Sequence, residues 1–97
     1  MLQRGQPFIV GKQARQVKSY LRRQSRDIVR LYREALEEIC KGPHDFENPR
    51  IAHLKADYQC TYRYRLARGL RIMYEIDEAQ CLVKPFWFGP RGSAPYD

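Results

Sequence analysis

The chain has 97 residues, enough for one domain with a single modest core and too few for two independent cores. Its 18 basic and 11 acidic residues leave a formal net charge of +7, which favours a nucleic acid, an anionic membrane or an acidic protein as partner. No apolar run approaches the length of a signal-peptide core or a membrane span, so we expect a cytoplasmic protein without a membrane partner.

The cysteines and histidines predict neither disulfides nor a metal site. Cys40, Cys60 and Cys81 are odd in number and form no C-x-x-C pair, which is typical of reduced thiols in the cytoplasm. His44 and His53 have no metal-ligand spacing with each other or with a cysteine. We therefore expect no metal and no cofactor.

The first half of the chain predicts one strand followed by two helices. Residues 7–10 form a short β-prone run, and a first helix is predicted by apolar residues at helical spacing: Ala14, Val17, Tyr20 and Leu21. After a polar break at residues 24–25, a longer amphipathic helix is predicted from Ile28, Leu31, Tyr32, Ala35, Leu36 and Ile39. Lys41 in its last turn, Gly42 as a left-handed cap and Pro43 beyond mark its end.

The second half predicts a surface loop and then three strands. Residues 43–57 have a loop-like composition. Three β-rich runs over residues 58–66, 70–76 and 81–88 predict a three-stranded antiparallel meander. Pro85 cannot donate to a strand ladder, so the last strand should be an edge or bulged there. Together the elements predict an α+β fold, with the two helices packed on one face of a small four-stranded sheet.

Alternation within the meander separates charged from apolar side chains, because successive strand residues face opposite sides of a sheet. The face toward the helices is predicted to hold Tyr62, Tyr64, Leu66, Leu70, Ile72, Tyr74 and Ile76. The opposite face is predicted to hold Arg63, Arg65 and Arg71, within reach of a common anion. No acidic residue lies between Asp57 and Glu75, so nearby sequence does not neutralise this face. A merely solvated face is the alternative.

The order of these elements and several short segments resemble the RelE/ParE toxin superfamily. The segments are Arg63 and Arg65, then Arg-Gly-Leu-Arg-Ile-Met-Tyr-Glu-Ile-Asp, and a closing Phe-Gly-Pro-Arg followed by a tyrosine. The similarity spans roughly residues 7–96 and implies a single RelE-like toxin domain over residues 1–97. Members either cleave messenger RNA on the ribosome or inhibit DNA gyrase, so the fold alone does not decide the target.

Five positions are similar to the RelE-type members, which favours messenger RNA as the target: Arg63, Arg65, Arg71, Arg91 and Tyr96. The resemblance implies a ribosome-dependent endoribonuclease that cleaves messenger RNA by metal-free attack of the 2′-hydroxyl group. Its implied partners are messenger RNA on the ribosome and a cognate antitoxin protein, as in type II toxin-antitoxin pairs. No small-molecule cofactor is implied.

The resemblance also implies roles for these residues. Arg63, Arg65 and Arg71 would stabilise charge on the phosphorane oxygens. Arg91 would act at the departing 5′-oxygen, and Tyr96 would orient the 2′-hydroxyl group or stack on a base. Three further basic residues are expected to bind RNA: Lys55, Arg68 and Lys84.

The sequence departs from the RelE-type pattern in two ways, and two alternative functions stay open. Many RelE-type members have lysine where this chain has Arg63 and Arg65, and a guanidinium resists deprotonation, so the general base is not assigned. Glu75, His53 and Asp57 are the alternatives. The sequence ends one residue after the tyrosine, without the further helix that many relatives carry, so its regulation is expected to differ. A ParE-like gyrase inhibitor and a non-catalytic basic nucleic-acid-binding module stay open.

Overall fold

The computed structural model describes residues 8–45, 47–54 and 61–94. In chain order the elements are strand β1 (Ile9–Val10), helix α1 (Arg15–Arg22), helix α2 (Arg26–Lys41) and strands β2 (Ile51–His53), β3 (Thr61–Arg65), β4 (Leu70–Asp77) and β5 (Leu82–Pro90). The sheet order is β1-β5-β4-β3-β2, and β1 pairs with β5 in parallel while the other pairs are antiparallel. This architecture confirms the predicted α+β fold with a three-stranded meander.

The sheet has five strands rather than four, because β2 lies within the segment predicted to be a loop. Asn48 turns the chain: its side-chain oxygen accepts a hydrogen bond from the Arg50 N–H at 3.0 Å, and its carbonyl accepts from the Ile51 N–H at 3.0 Å. Ile51 is then buried and pairs with Tyr64 at the edge of β3. A three-residue strand beside a proline has too short a pattern to be recognised from composition.

Helix α2 begins and ends as predicted, but its cap differs. The Ser25 hydroxyl oxygen accepts a hydrogen bond from the Ile28 N–H at 3.4 Å, which fixes the N-terminus. Gly42 has φ of −164°, so the predicted left-handed cap is wrong. The proline that follows restricts Gly42 to extended backbone, which accounts for the difference.

The core lies between the helices and the sheet. Phe88 is fully buried, and its ring meets Tyr20 of α1 at 5.2 Å and Tyr32 of α2 at 4.7 Å between centroids. Ile72 and Tyr74 of β4 are also fully buried on this side, as alternation predicts. The two helices therefore lie side by side on one face, and the other face of the sheet remains for the site. Within the described ranges no helix is both long and apolar enough to cross a membrane.

Strand β5 is interior to the sheet and contains a bulge at the predicted proline. Met73 pairs with Trp87 while Tyr74 pairs with Pro85, so one extra residue lies between these partners on β5. The bulge was predicted, whereas the edge alternative is wrong, since β5 lies between β1 and β4. The Pro85 carbonyl instead accepts the Ala14 N–H at 3.0 Å, where α1 begins.

Candidate functional site

Three arginines lie side by side at one end of the sheet. Arg65 of β3 pairs directly with Arg71 of β4, and the carbonyl oxygen of Arg50 accepts the backbone N–H of Arg65 at 2.8 Å. Adjacent strands are about 4.8 Å apart, so these three backbones are neighbours across the sheet. We call Arg50, Arg65 and Arg71 the arginine row.

The arginine row lines an open depression of about 490 Å³, together with Pro49, Leu66, Ala67 and Gly69. Arg71 is only 6% exposed, whereas Arg50 and Arg65 reach solvent. A surface ligand would therefore meet two exposed guanidinium groups and one buried beneath them. No described residue that lines the depression carries a carboxylate.

Backbone carbonyl groups position two of these guanidinium groups. Arg65 Nη2 donates to the carbonyl oxygen of Pro49 at 3.2 Å, and Arg71 Nη1 donates to that of Leu70 at 2.9 Å. A guanidinium has five N–H donors in a rigid fork, so each group keeps further donors for a ligand after one such bond. The arrangement suits recognition of a phosphate by paired N–H groups.

Arg63 lies two residues before Arg65 on β3, on the same face of the sheet. It pairs there with the fully buried Met73. Its Nε is buried and has no hydrogen-bond partner among the residues that the structure describes. A buried donor without a partner is costly, as are like charges placed opposite each other in a sheet, such as Arg65 and Arg71. A bound anion would lower both costs.

Arg91 immediately follows β5 and opens a 3₁₀ turn, Arg91–Ser93. It is exposed and comes two residues after Gly89, the β5 partner of Arg71. Its backbone is thus at the same end of the sheet as the arginine row. Lys55 and Tyr96, two of the predicted site residues, lie outside the described residues, as does Asp57.

Arg68 and Lys84 are not brought to the arginine row. Arg68 has φ of 63° in the turn between β3 and β4, and it lines a depression against α2 with Asp27 and Glu34. Lys84 pairs with Glu75 and lines a separate depression near the start of α1. Both remain predicted RNA-binding residues, but neither shares the pocket of the row.

The two described candidates for a general base differ in position. Glu75 lies on the same face as Arg71 but four residues away along β4, a distance of about 13 Å at the usual strand rise. His53 pairs with Tyr62 on the helix-facing side and stacks on its ring at 4.9 Å. Neither lines the depression of the arginine row.

An aromatic ring lies beside the row. A Cβ atom at Gly89 would approach the indole of Trp87 to 3.0 Å, so this ring lies over the glycine that pairs with Arg71. Trp87 is partly exposed and pairs with Met73, on the face opposite the helices. It offers a flat surface on which a nucleobase can stack next to the guanidinium groups.

Glu38 of α2 supports the turn that precedes Arg50. Its carboxylate accepts hydrogen bonds from Asn48 Nδ2 at 2.8 Å and from the Tyr64 hydroxyl at 2.7 Å. These two bonds, aided by the charges of Arg50 and Lys41, hold the pKa of Glu38 below its usual value. Burial, with the bond to Glu38, raises the pKa of Tyr64.

The described thiols and histidines form no reactive or metal-binding cluster. Cys40 and Cys81 are free, and burial raises the pKa of the Cys40 thiol. His44 contacts Glu78, and no group of three His, Cys, Asp or Glu side chains in residues 8–45, 47–54 and 61–94 could hold a metal ion. Cys60 lies outside these ranges.

Sequence reasoning missed Arg50, because it lies in the segment predicted to be a loop. The signal was a pair of apolar residues, Ile51 and Ala52, between a proline and a histidine. Pairing of β2 with β3 is what carries Arg50 to the row, and this contact is not visible in a local pattern.

No protein-family profile and no curated protein matches the sequence. Three solved structures have a similar fold. They are the RelBE2 toxin-antitoxin complex from Mycobacterium tuberculosis (TM-score 0.71, 19% identity), the intact RelBE complex from E. coli (0.68, 14%) and the RelE-RelB complex from the archaeon Pyrococcus horikoshii (0.65, 20%). The matches cover 90%, 88% and 91% of this chain and 94%, 96% and 98% of the chains they match. The protein therefore has the fold of the RelE toxins.

Proposed function

We propose that this protein is a RelE-type toxin, an endoribonuclease that cleaves messenger RNA on the ribosome and is neutralised by a cognate antitoxin. The arginine row carries the proposal, because it gathers Arg50, Arg65 and Arg71 in one depression without a carboxylate among its described residues. The structures of similar fold are complexes with RelB antitoxins, which supports an antitoxin partner.

The proposed reaction is an in-line displacement within the RNA. The 2′-oxygen bonds to the adjacent phosphorus as its proton leaves, and the bond from phosphorus to the 5′-oxygen breaks as that oxygen gains a proton. The products are a 2′,3′-cyclic phosphate and a 5′-hydroxyl end. Negative charge builds on the phosphorane oxygens, where Arg65 and Arg71 present their forks. The guanidinium groups supply this stabilisation, so the proposed reaction uses no metal.

The remaining residues have supporting roles in this proposal. Arg63 adds a third guanidinium along the same face, and Arg50 holds the neighbouring phosphate. Arg91 stabilises negative charge on the departing 5′-oxygen, which takes its proton from solvent, and Tyr96 orients the 2′-hydroxyl group or stacks on a base. Since an arginine does not readily accept a proton, catalysis is mainly electrostatic and the 2′-hydroxyl proton passes to solvent.

Substitution of the row tests the proposal directly. We expect Arg71→Gln and Arg65→Gln each to lower cleavage by about 10²- to 10³-fold, the usual effect of removing one donor to a developing oxyanion, and to relieve growth arrest. The measurement is induction of each variant in bacteria, with mapping of new 5′ ends on translated messages. Fluorescence of Trp87, the single tryptophan, checks that the variants fold.

Arg23→Gln is the matched control, because it removes the same charge from an exposed residue outside the depression. It should leave cleavage within a few-fold of wild type. Wild-type cleavage by Arg71→Gln would contradict the proposal, as would 5′ ends that persist when translation is blocked. Blocked supercoiling by gyrase with intact messages would establish the ParE-like function instead.

A further inference from the structure

The net charge of the protein lies in one segment. Residues 12–33 contain eight basic residues and one acidic residue, a balance of +7, which equals the formal net charge of the chain. The remainder contains ten basic and ten acidic residues and is neutral. The long-range positive field therefore comes from the two helices rather than from the arginine row.

The helical charges form one exposed surface. Each helix contributes a stripe of three exposed cations that spans about 10 Å along the axis. The stripes are Arg15, Lys18 and Arg22 on α1, and Arg26, Arg30 and Arg33 on α2. We call these six residues the helical cationic surface. Because α1 and α2 both pack on Phe88, both stripes lie on the helix-covered side of the sheet.

Part of this surface is concave. Arg26, Arg30 and Arg33 surround an open depression of about 420 Å³ with Gln24 and Val29. Three cations around one depression can converge on a single anionic group or on neighbouring groups of a polyanion.

Few of these charges are neutralised within the fold. Among the described residues, Arg30 is the one member with an ion pair, to Asp27 at 3.5 Å, and both side chains are more than 60% exposed. Such an exposed pair is weak. The described lining of the concave part contains no acidic side chain.

The surface has no apolar centre. The large hydrophobic residues exposed within the described ranges are Ile9 and Val10 of β1, outside both helical stripes. Protein interfaces have a buried apolar core, and helices that bind membranes insert apolar side chains, so neither partner fits well. A phosphate backbone is bound through charge alone and does fit.

We propose that the helical cationic surface is a second RNA site, which binds the phosphate backbone of a folded RNA. The helices lie on one face of the sheet and the arginine row on the other, and the described lining of the row's depression includes none of these six cations. The two sites thus hold different RNA segments. This site does not require that the arginine row cleave RNA.

The test measures binding of a fluorescein-labelled RNA duplex of about 20 base pairs by fluorescence anisotropy over a range of salt concentrations. The variant Arg22→Gln/Arg26→Gln/Arg30→Gln removes three exposed cations. Each lost phosphate contact lowers the slope of log K against log[salt] by about 0.7 to 0.9, so the slope should fall by about 2 to 3. We expect a loss of affinity of about tenfold or more.

Two controls locate the site. Arg22→Lys/Arg26→Lys/Arg30→Lys keeps the charges and should keep the slope, and Lys41→Gln, which removes an exposed cation at the far end of α2, should leave duplex binding within about twofold. An unchanged slope in the glutamine triple variant would overturn the inference. So would competition by poly-glutamate as effective as that by the duplex, which would indicate an acidic protein partner. If duplex binding responds as expected while the wild type cleaves no message, only the proposed nuclease fails.

Discussion

Glu38 shows how one carboxylate outside the depression can position the candidate site. It receives hydrogen bonds from Asn48 and Tyr64, and the Asn48 turn then places Arg50 beside Arg65. These donors favour the charged carboxylate, which is why its pKa falls below the usual value of 4.5. Loss of that charge should therefore weaken the link between α2 and the turn.

The pH dependence of stability follows from the sign of this shift. Because the folded pKa is below the unfolded one, the stabilisation is fully present above about pH 5 and is lost as the pH falls through the folded pKa. We expect Glu38→Gln to be less stable than wild type at pH 7, and the difference to shrink between about pH 5 and pH 3. Urea unfolding at several pH values measures it.

Glu37→Gln is the control, since it removes an equal charge from the exposed neighbouring residue. It should change the free energy of unfolding little at either pH. A Glu38→Gln difference that stays constant from pH 7 to pH 3 would contradict the assigned pKa direction.

The arginines of the β3–β4 hairpin show that a positive charge alone does not place a residue in the candidate site. Arg65 and Arg71 line one depression. Arg68 lies between them in sequence but lines a separate depression against α2. The left-handed backbone at Arg68 is part of the turn that joins the two strands. Proximity in sequence therefore did not decide which arginines act together.

At the scale of elements, helix α1 satisfies backbone hydrogen-bonding groups of β5 at a position that β1 does not pair with. Strand β1 pairs only with Leu82 and Val83. Further along β5, the Gln16 side chain donates to the Phe88 carbonyl and accepts the Phe88 N–H, each at 2.8 Å. One side-chain amide thereby replaces a neighbouring strand and secures α1 over the core.

Gln16→Met should remove both bonds while keeping a similar side-chain length. We expect a loss of about 2 kcal/mol in the free energy of unfolding, because two partly buried backbone groups lose their partners. Denaturant unfolding at neutral pH measures this. Gln24→Met, which breaks one local bond to the Tyr20 carbonyl, should cost less than half as much. Equal costs for the two variants would show that Gln16 has no special role on β5.

At the scale of the whole molecule, the protein has two cationic surfaces on opposite sides of one sheet. The arginine row is small, partly buried and suited to a single phosphate, whereas the helical cationic surface is broad and exposed. A partner that engages both must present two RNA segments around the protein. The ribosome with a bound message is such a partner under the proposed function.

Independence of the two surfaces can be measured on ribosomes that carry a message. We compare Arg71→Gln, the glutamine triple variant of the helices, and their combination for binding affinity. Since the two depressions share no described lining residue, the two fold-losses should multiply to within about twofold in the combined variant. A combined loss no greater than either single loss would contradict two separate contacts.

The sequence by itself determined the two helices, the meander and the face that carries Arg63, Arg65 and Arg71. These features depend on the 3.6-residue and two-residue repeats of side-chain direction, which are local properties of the backbone. The resemblance to the RelE toxins was also available from residue order, and the structure shows that the chain has their fold.

Only the tertiary structure showed that β2 joins the sheet and that Arg50 lies in the arginine row. It also showed that Gln16 hydrogen-bonds the exposed edge of β5. Each depends on contact between segments distant in sequence: Gln16 and Phe88 are 72 residues apart. The concentration of net charge in residues 12–33 was countable beforehand, but its place opposite the arginine row was not. A local pattern gives the direction of a side chain relative to its own strand or helix, whereas packing determines which elements become neighbours.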